Sequence, residues 1–308
     1  MNIPIFSDET KLPSKADYEV LPLTKRQADG LVYVSCTDST QNIARNMIKK
    51  GDICASKDGK LTVYAIVADD QTAGRGRLGR KWVSRPGESF LVSFVVLLPK
   101  NIVMDASRNG WLPIIAGLCA RDSLLETFSE YKSKAIHGDE CTLKLKWPND
   151  IFLHDCKEGG ILTELVSSTD NNYIGVVFGI GLNLHVPQFV LPIKMATSLQ
   201  MHMTSLPESL KLRDFIASHI VSALRLRLSD FIEKYPNNYD DLLSEFTKVC
   251  WTLDRFVSVH PVNGNAIKGL AFRIGEDASI AIREDSGNEV VVKSGDVHAV
   301  AYESEDLL

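Results

Sequence analysis

Apolar and polar positions divide the chain into strands, helices and a small β-rich end. Leu31–Cys36 (LVYVSC) reads as a short strand, and Asp38 or Ser39 then stands where a helix N-cap belongs. The helix so predicted runs to Lys50, with Gly51 as its glycine cap. Leu61–Ala68 (LTVYAIVA) and Phe90–Leu98 are continuous apolar runs of the kind that fill buried strands. An apolar stretch over Pro113–Phe128 predicts a helix with proline in its first turn. Strand-like pieces follow at Leu143–Trp147, Ile151–His154, Gly160–Val166 and Tyr173–Leu182, and His185–Pro207 reads as a loop. From Glu208 the period turns helical: Leu212, Phe215, Ile216, Ile220, Leu224, Leu228 and Phe231 share one face. A shorter helix carries Leu242, Leu243, Phe246 and Val249.

After about Cys250 the pattern becomes short alternating strands, with turn signals at Asn263-Gly264, Gly275-Glu276-Asp277 and Ser286-Gly287. The pattern predicts an α+β protein: a polar extension over 1–30, a main mixed-sheet unit with flanking helices over 31–250, and a small β-barrel or sandwich over 251–308. The helices before Cys250 complete an apolar packing, so the main unit is expected to fold without the β unit.

Composition removes several function classes. A net charge of −5 and pI near 5.8 give no global field for nucleic acid or anionic membrane. The first fifteen residues, MNIPIFSDETKLPSK, lack the apolar core of a secretory signal. The longest apolar stretches are far shorter than the roughly 20 residues a spanning helix needs. Six cysteines without a CxxC pair point to free thiols in a reducing, cytoplasmic setting. Seven histidines without an HExxH pair give no reason to expect a bound transition metal.

The densest chemistry lies in Gln71–Trp82 (QTAGRGRLGRKW). Gly74-x-Gly76-x-x-Gly79 follows a strand, as a dinucleotide fingerprint does, but that fingerprint also needs a helix opening at the loop and an acid about 20 residues on. Pro86 and Gly87 interrupt the following stretch and position 99 is proline, which excludes it. Four cations (Arg75, Arg77, Arg80, Lys81) interleaved with glycine remain, suited to gripping phosphate or carboxylate. A solvated basic loop or a nucleic-acid contact would read the same way. Lys146-Trp147-Pro148-Asn149-Asp150 is turn chemistry between strands, on its own simply a tight hairpin. Lys157 beside Gly159-Gly160 can bring an ammonium to an anion, although such a lysine is more often just exposed. Gly179-Ile180-Gly181-Leu182-Asn183 alone reads as packing.

Together and in this order, Ser39-Thr40-Gln41, the arginine-glycine loop, Lys-Trp-Pro-Asn-Asp, Lys157-x-Gly-Gly-Ile-Leu and Gly-Ile-Gly-Leu-Asn resemble the biotin protein ligases over roughly residues 31–300. The form resembled is the one without an N-terminal DNA-binding domain. The resemblance implies a biotin/lipoate ligase-like catalytic domain with a small SH3-like β-barrel after it. It implies ATP and biotin as substrates, with Mg²⁺ accompanying ATP. Its acceptors would be the biotin-carrier domains of carboxylases; it implies neither DNA nor membrane as partner and leaves a homodimer open.

By resemblance, Ser39, Thr40 and Gln71 would hydrogen-bond the ureido ring of biotin, with Gln41 as a third contact of the helix start. Arg75, Gly76 and Arg77 would close over the ligand. Lys157 would meet the biotin carboxylate and the α-phosphate. Arg77, Arg80, Lys81, Trp82, Asn149, Lys157 and Asn183 would serve the nucleotide. Two departures show: the family usually has Ser-Thr-Asn where Gln41 precedes Asn42, and Leu78 stands where some members carry arginine.

The chemistry fits such residues. Joining a carboxylate to the α-phosphate of ATP brings two anions together and expels pyrophosphate, so positioning and charge neutralisation dominate. Arg75, Arg77 and Lys157 suit that task, and Asp150 is a candidate for orienting or deprotonating the acceptor lysine. A lipoate or octanoate ligase, similar in fold, is the alternative enzyme. A ligand-sensing DNA-binding regulator is disfavoured by the short stretch before the first strand and by the acidic net charge, and a pure binding module stays open if the loop arginines serve only to grip nucleic acid.

Overall fold

The computed structural model describes residues 20–56, 59–136, 141–237, 239–261 and 264–299. Residues 1–19 of the expected extension, Asn263 of the expected Asn-Gly turn and 300–308 at the end of the β unit lie outside the described residues. The first elements are α1 (Pro22–Gln27), β1 (Gly30–Thr37), α2 (Thr40–Lys50), β2 (Tyr64–Gln71), β3 (Ser89–Pro99), α3 (Lys100–Val103) and α4 (Trp111–Glu130). Next come β4 (Leu143–Lys146), β5 (Asp150–Leu153), β6 (Cys156–Ser167), β7 (Tyr173–Asn183), α5 (Ser209–Glu233) and α6 (Asp240–Val249). The chain ends with β8 (Arg255–Pro261), β9 (Ile267–Ile274), β10 (Ile280–Arg283), β11 (Glu289–Val292) and β12 (Gly295–Ala299).

Seven strands form one sheet in the order β1-β2-β3-β7-β6-β5-β4; β1 and β2 pair in parallel and all other neighbours antiparallel. The second sheet is antiparallel, in the order β11-β10-β9-β8-β12. This is the α+β architecture that the apolar pattern predicts. The strand β2 leads into a loop and then β3 rather than into a helix, which confirms that the glycine-rich segment opens no dinucleotide-binding unit.

Alternation along the central strand decides where a site can be. Ile174, Val176, Phe178, Ile180 and Leu182 of β7 face the main core, beneath α4 and α5. The intervening residues Gly175, Val177, Gly179, Gly181 and Asn183 face the other side. There α2 packs Ala44, Met47 and Ile48 onto Ile66, Val95, Leu97, Val166 and Val177. A Cβ on Gly175 would lie 2.7 Å from the Ile48 side chain, so this glycine lets the helix approach. Beyond the N-terminus of α2, the sheet face at Gly179 and Gly181 becomes the floor of a cleft.

Two features differ from the sequence expectation. Within the stretch read as a polar extension, α1 packs on α5 with Leu21 buried. Its free N-terminal amides are satisfied by a residue some 190 positions away: Leu23 N and Thr24 N donate to the Asp214 carboxylate at 3.0 and 2.8 Å. A six-residue helix shows no period of its own, and no local cap announces it.

The small sheet also has no separate core. Val257, Val259, Ala271, Ile280, Ile282 and Val297 belong to the same buried cluster as Trp111 and Trp147. The indole N–H groups of Trp111 and Trp147 donate to the carbonyls of Glu276 and Ala278, both at 2.8 Å. This shared packing argues against independent folding of residues 31–250.

Candidate active site

A cleft of about 490 Å³ lies over Gly179 and Gly181, and every candidate site residue lines it. Ser39, Thr40 and Gln41 enter from the start of α2; Gln71, Arg75, Gly76, Arg77, Arg80, Lys81 and Trp82 from the end of β2 and the loop after it. Asn149 and Asp150 come from the β4–β5 turn, Lys157 from β6 and Asn183 from the end of β7.

The arginine-glycine loop is a hairpin closed on itself. Trp82 N donates to Gly74 O at 2.9 Å and Gly76 N to Arg80 O at 2.7 Å. A single 3₁₀ turn at its tip puts Leu78 and Gly79 at φ 53° and 74°. The left-handed region explains glycine at 79. A Cβ on Gly74 would sit 2.6 Å from Trp82 O, so that glycine allows the hairpin to close. Folding back turns the cations inward. Arg75 pairs with Glu164 of β6 at 3.1 Å, Arg80 pairs with Asp296 of β12, and Arg77 donates to Asn149 Oδ1 at 2.9 Å and to Gly295 O at 3.3 Å. The Trp82 ring lies on the face of Gly181, where a Cβ would come within 2.6 Å of it.

Opposite stands the β4–β5 turn, entered through a cis Trp147-Pro148 bond. Asn149 Nδ2 donates to Ile161 O at 2.7 Å, which leaves its Oδ1 toward Arg77. The β5–β6 register slips between Ile151 and Phe152, and beside that bulge the Lys157 ammonium reaches Asp150 Oδ1 at 2.7 Å. The segment after β7 closes this end: Lys157 N donates to Met195 O at 2.6 Å, and Asn183 Nδ2 donates to Thr197 O at 2.8 Å.

At the other end, Thr40 N and Gln71 Oε1 meet at 2.8 Å, and Thr40 Oγ1 meets Ser93 Oγ at 2.8 Å. Gln41 donates its amide to Leu162 O at 2.8 Å and packs against Gly179, so it forms wall rather than free polar surface.

Electrostatically the cleft favours an anion. Burial lowers the pKa of the Arg77 guanidinium, with Asp150 pulling it up and Arg80 down, yet arginine remains charged at any physiological pH. Burial likewise lowers Lys146, behind the turn, with Lys157 and Arg80 adding to the effect and Asp150 opposing it. Two donors in the wall, the Trp82 indole N–H and the Arg75 Nε–H, are buried without a partner among the described residues.

Sequence reading missed Glu164, the Pro192–Ala196 segment, Asp296 and His298. Glu164 was accessible to it, since it lies two residues beyond the cleft-lining Leu162 on a strand. Asp296 and His298 carry no local signal; they arrive by tertiary docking of β12.

Fold and site together define the class: an α+β protein whose mixed sheet floors a cation-lined cleft under an arginine-glycine loop. Residues 33–183 match the model of the biotin/lipoate A/B protein ligase family. The chain is 30% identical over 244 residues to the biotin–[acetyl-CoA-carboxylase] ligase of Mycobacterium tuberculosis, covering 79% of this chain and 81% of that one. A solved biotin protein ligase from Aquifex aeolicus, in complex with biotin and ATP, superposes with a TM-score of 0.64 at 23% identity, covering 88% of this chain and 100% of that one. The Leishmania major biotin protein ligase in complex with biotinyl-5-AMP gives a TM-score of 0.51 at 25% identity, covering 86% and 98%. The chain belongs to the biotin protein ligases.

Proposed function

We propose that this one cleft performs both half-reactions of a biotin protein ligase. The enzyme activates biotin with ATP, forming biotinyl-5′-AMP and pyrophosphate, and then transfers biotin to a lysine of a carboxylase's biotin-carrier domain. The observation that carries the residue assignment is the convergence of Arg75, Arg77 and Lys157 on a glycine-floored cleft. Arginines turned onto protein carboxylates and carbonyls also argue against the nucleic-acid-binding alternative, in which they would point to solvent.

In this reading the polar cluster of Ser39, Thr40 and Gln71 takes the ureido ring, with Gln41 as the wall beside it. Lys157 meets the biotin carboxylate and the α-phosphate in this reading, and with Arg77 it neutralises both anions as the acyl-phosphate bond forms. Arg75 and Gly76 cover the product, while Arg80, Lys81, Trp82, Asn149 and Asn183 serve the nucleotide. Mg²⁺ would travel with the ATP phosphates: no group of three His, Cys, Asp or Glu side chains among the described residues is placed to hold a metal. Asp150, already bonded to one ammonium, orients the acceptor's. Separate thiols at all six cysteines support residence in a reducing compartment, the cytoplasm.

The test is incubation with ATP, biotin and a biotin-carrier domain, followed by mass analysis of the acceptor lysine, with pyrophosphate exchange measured in parallel. Exchange driven by lipoate but not by biotin would replace this reading with the lipoate ligase.

A further inference from the structure

The second half-reaction needs an uncharged amine, yet a lysine arrives as an ammonium. A group at the cleft that takes its proton would speed the transfer at neutral pH. The carboxylates lining the cleft are engaged: Asp150 holds Lys157 at 2.7 Å and Asp296 holds Arg80. His298 is the one histidine among the described residues that lines the cleft. It lies two residues after Asp296 on β12, and so on the same face of that strand. That strand is pinned to the loop by Arg80–Asp296 and by Arg77 on Gly295 O, and Arg77 in turn holds Asn149, the neighbour of Asp150. His298 is exposed while lining the cleft, and His260 of β8 stands edge-on to its ring at 5.3 Å between centroids.

Resting on the ligase reading, we infer that His298 is the base that deprotonates the acceptor lysine. The lysine ammonium gives one proton to the imidazole. The freed nitrogen lone pair attacks the acyl carbon of the adenylate, forming the C–N bond. The bond from that carbon to the phosphate oxygen breaks, and its electron pair leaves with AMP. The second proton lost by the nitrogen goes to the departing phosphate, and the imidazolium returns its proton to water.

The surroundings keep the ring available as a base. Burial lowers its pKa first; Lys146 of β4, His260 of β8 and Arg80 of the loop lower it further, and only Asp150 of β5 pulls it up. A lowered imidazole pKa means the neutral form persists to more acidic pH than the usual 6.5 or so.

The test isolates transfer by supplying preformed biotinyl-5′-AMP and a biotin-carrier domain to the full chain in single-turnover experiments between pH 5.5 and 9. Wild type should rise through a pKa below that of free histidine and then level off. His298→Ala and His298→Gln should each be slower on the order of 100-fold at pH 7, the low end of what a positioned base contributes. Their rates should keep rising with hydroxide where wild type is flat. Variants that transfer at the wild-type rate, or that are slow but keep the wild-type pH profile, overturn the inference. Failure of the ligase reading itself would show separately, as absence of biotin-dependent pyrophosphate exchange in wild type.

Discussion

The two walls of the cleft are specified in different ways. On the large sheet each contribution is local. Glycines close the hairpin that points Arg75 and Arg77 inward, a proline-bearing turn sets Asn149 beside Asp150, and a bulge brings Lys157 to Asp150. On the small sheet nothing is local. Asp296 and His298 reach the cleft, and Gly295 O meets Arg77, because β12 docks beside β8 and the sheet shares its core with Trp111 and Trp147. The difference teaches that the small sheet is the cleft's outer jaw, joined to the loop through Arg77 and Arg80, and not an appendage to a finished catalytic unit.

The most destructive way to probe that contrast is truncation after Cys250. It would strip the cover from Trp111 and Trp147, which are buried to 0% and 2% exposure. Each tryptophan carries about 200 Å² of buried surface. At about 25 cal/mol per Å², exposing both costs up to about 10 kcal/mol, as much as the whole stability of a typical domain. The truncated chain should therefore be insoluble or lack a cooperative melting transition. A soluble fragment with a sharp transition would restore the β unit to the status of an appendage.

On the other wall, Lys157→Ala should cut biotin-dependent pyrophosphate exchange by about 10²–10³, the usual effect of removing one donor aimed at developing charge. It also leaves the Asp150 carboxylate, 17% exposed, without its cation. Near-normal exchange would remove Lys157 from the first half-reaction.

This contrast also explains what was legible in the sequence. The strands, both long helices, the α2 cap at Gly51 and the α+β class follow from period and punctuation, because each depends on neighbours within a few residues. The residues gathered in the cleft were legible as short motifs, and their resemblance to a known family supplied the roles proposed for them. Hidden from it were contacts made across the fold: α1 held by Asp214, the indole bonds of Trp111 and Trp147 to the small sheet, and Asp296 and His298 lining the cleft. Residues 295–299 fall in the stretch of short alternating strands, where neither an aspartate nor a histidine differs locally from one facing solvent.

Where the two walls meet, Arg77→Gly should separate making the adenylate from keeping it. The substitution removes the bonds to Asn149 and Gly295 O and adds backbone freedom worth about 1 kcal/mol. With the grip gone, biotinyl-5′-AMP should escape faster while its synthesis is less affected, and the free anhydride should label bystander lysines. Incubating the variant with ATP, biotin and albumin checks this. Unlabelled albumin beside continued adenylate synthesis would mean that the loop does not retain the product.

The smallest effect is expected at the Arg80–Asp296 pair, and it tells which link holds the jaw. Arg80 is 57% exposed and Asp296 14%. An ion pair so open to water contributes at most about 1 kcal/mol, or a factor of about five in an equilibrium. Asp296→Asn keeps the shape and removes the charge, so adenylate release should quicken by no more than about that factor. Its dependence on salt is the sharper readout. Screening acts over about 10 Å at 0.1 M and about 3 Å at 1 M, so wild type and variant should converge as salt rises. The hydrogen bonds of Arg77 to Asn149 and Gly295 O are half-buried and should screen less, leaving most of the Arg77→Gly defect at high salt. Measuring release of labelled adenylate at 0.05 M and 0.5 M salt for both variants separates the contributions. If Asp296→Asn matches wild type even at low salt, the loop is tied to the jaw through Arg77 and the surface pair is incidental.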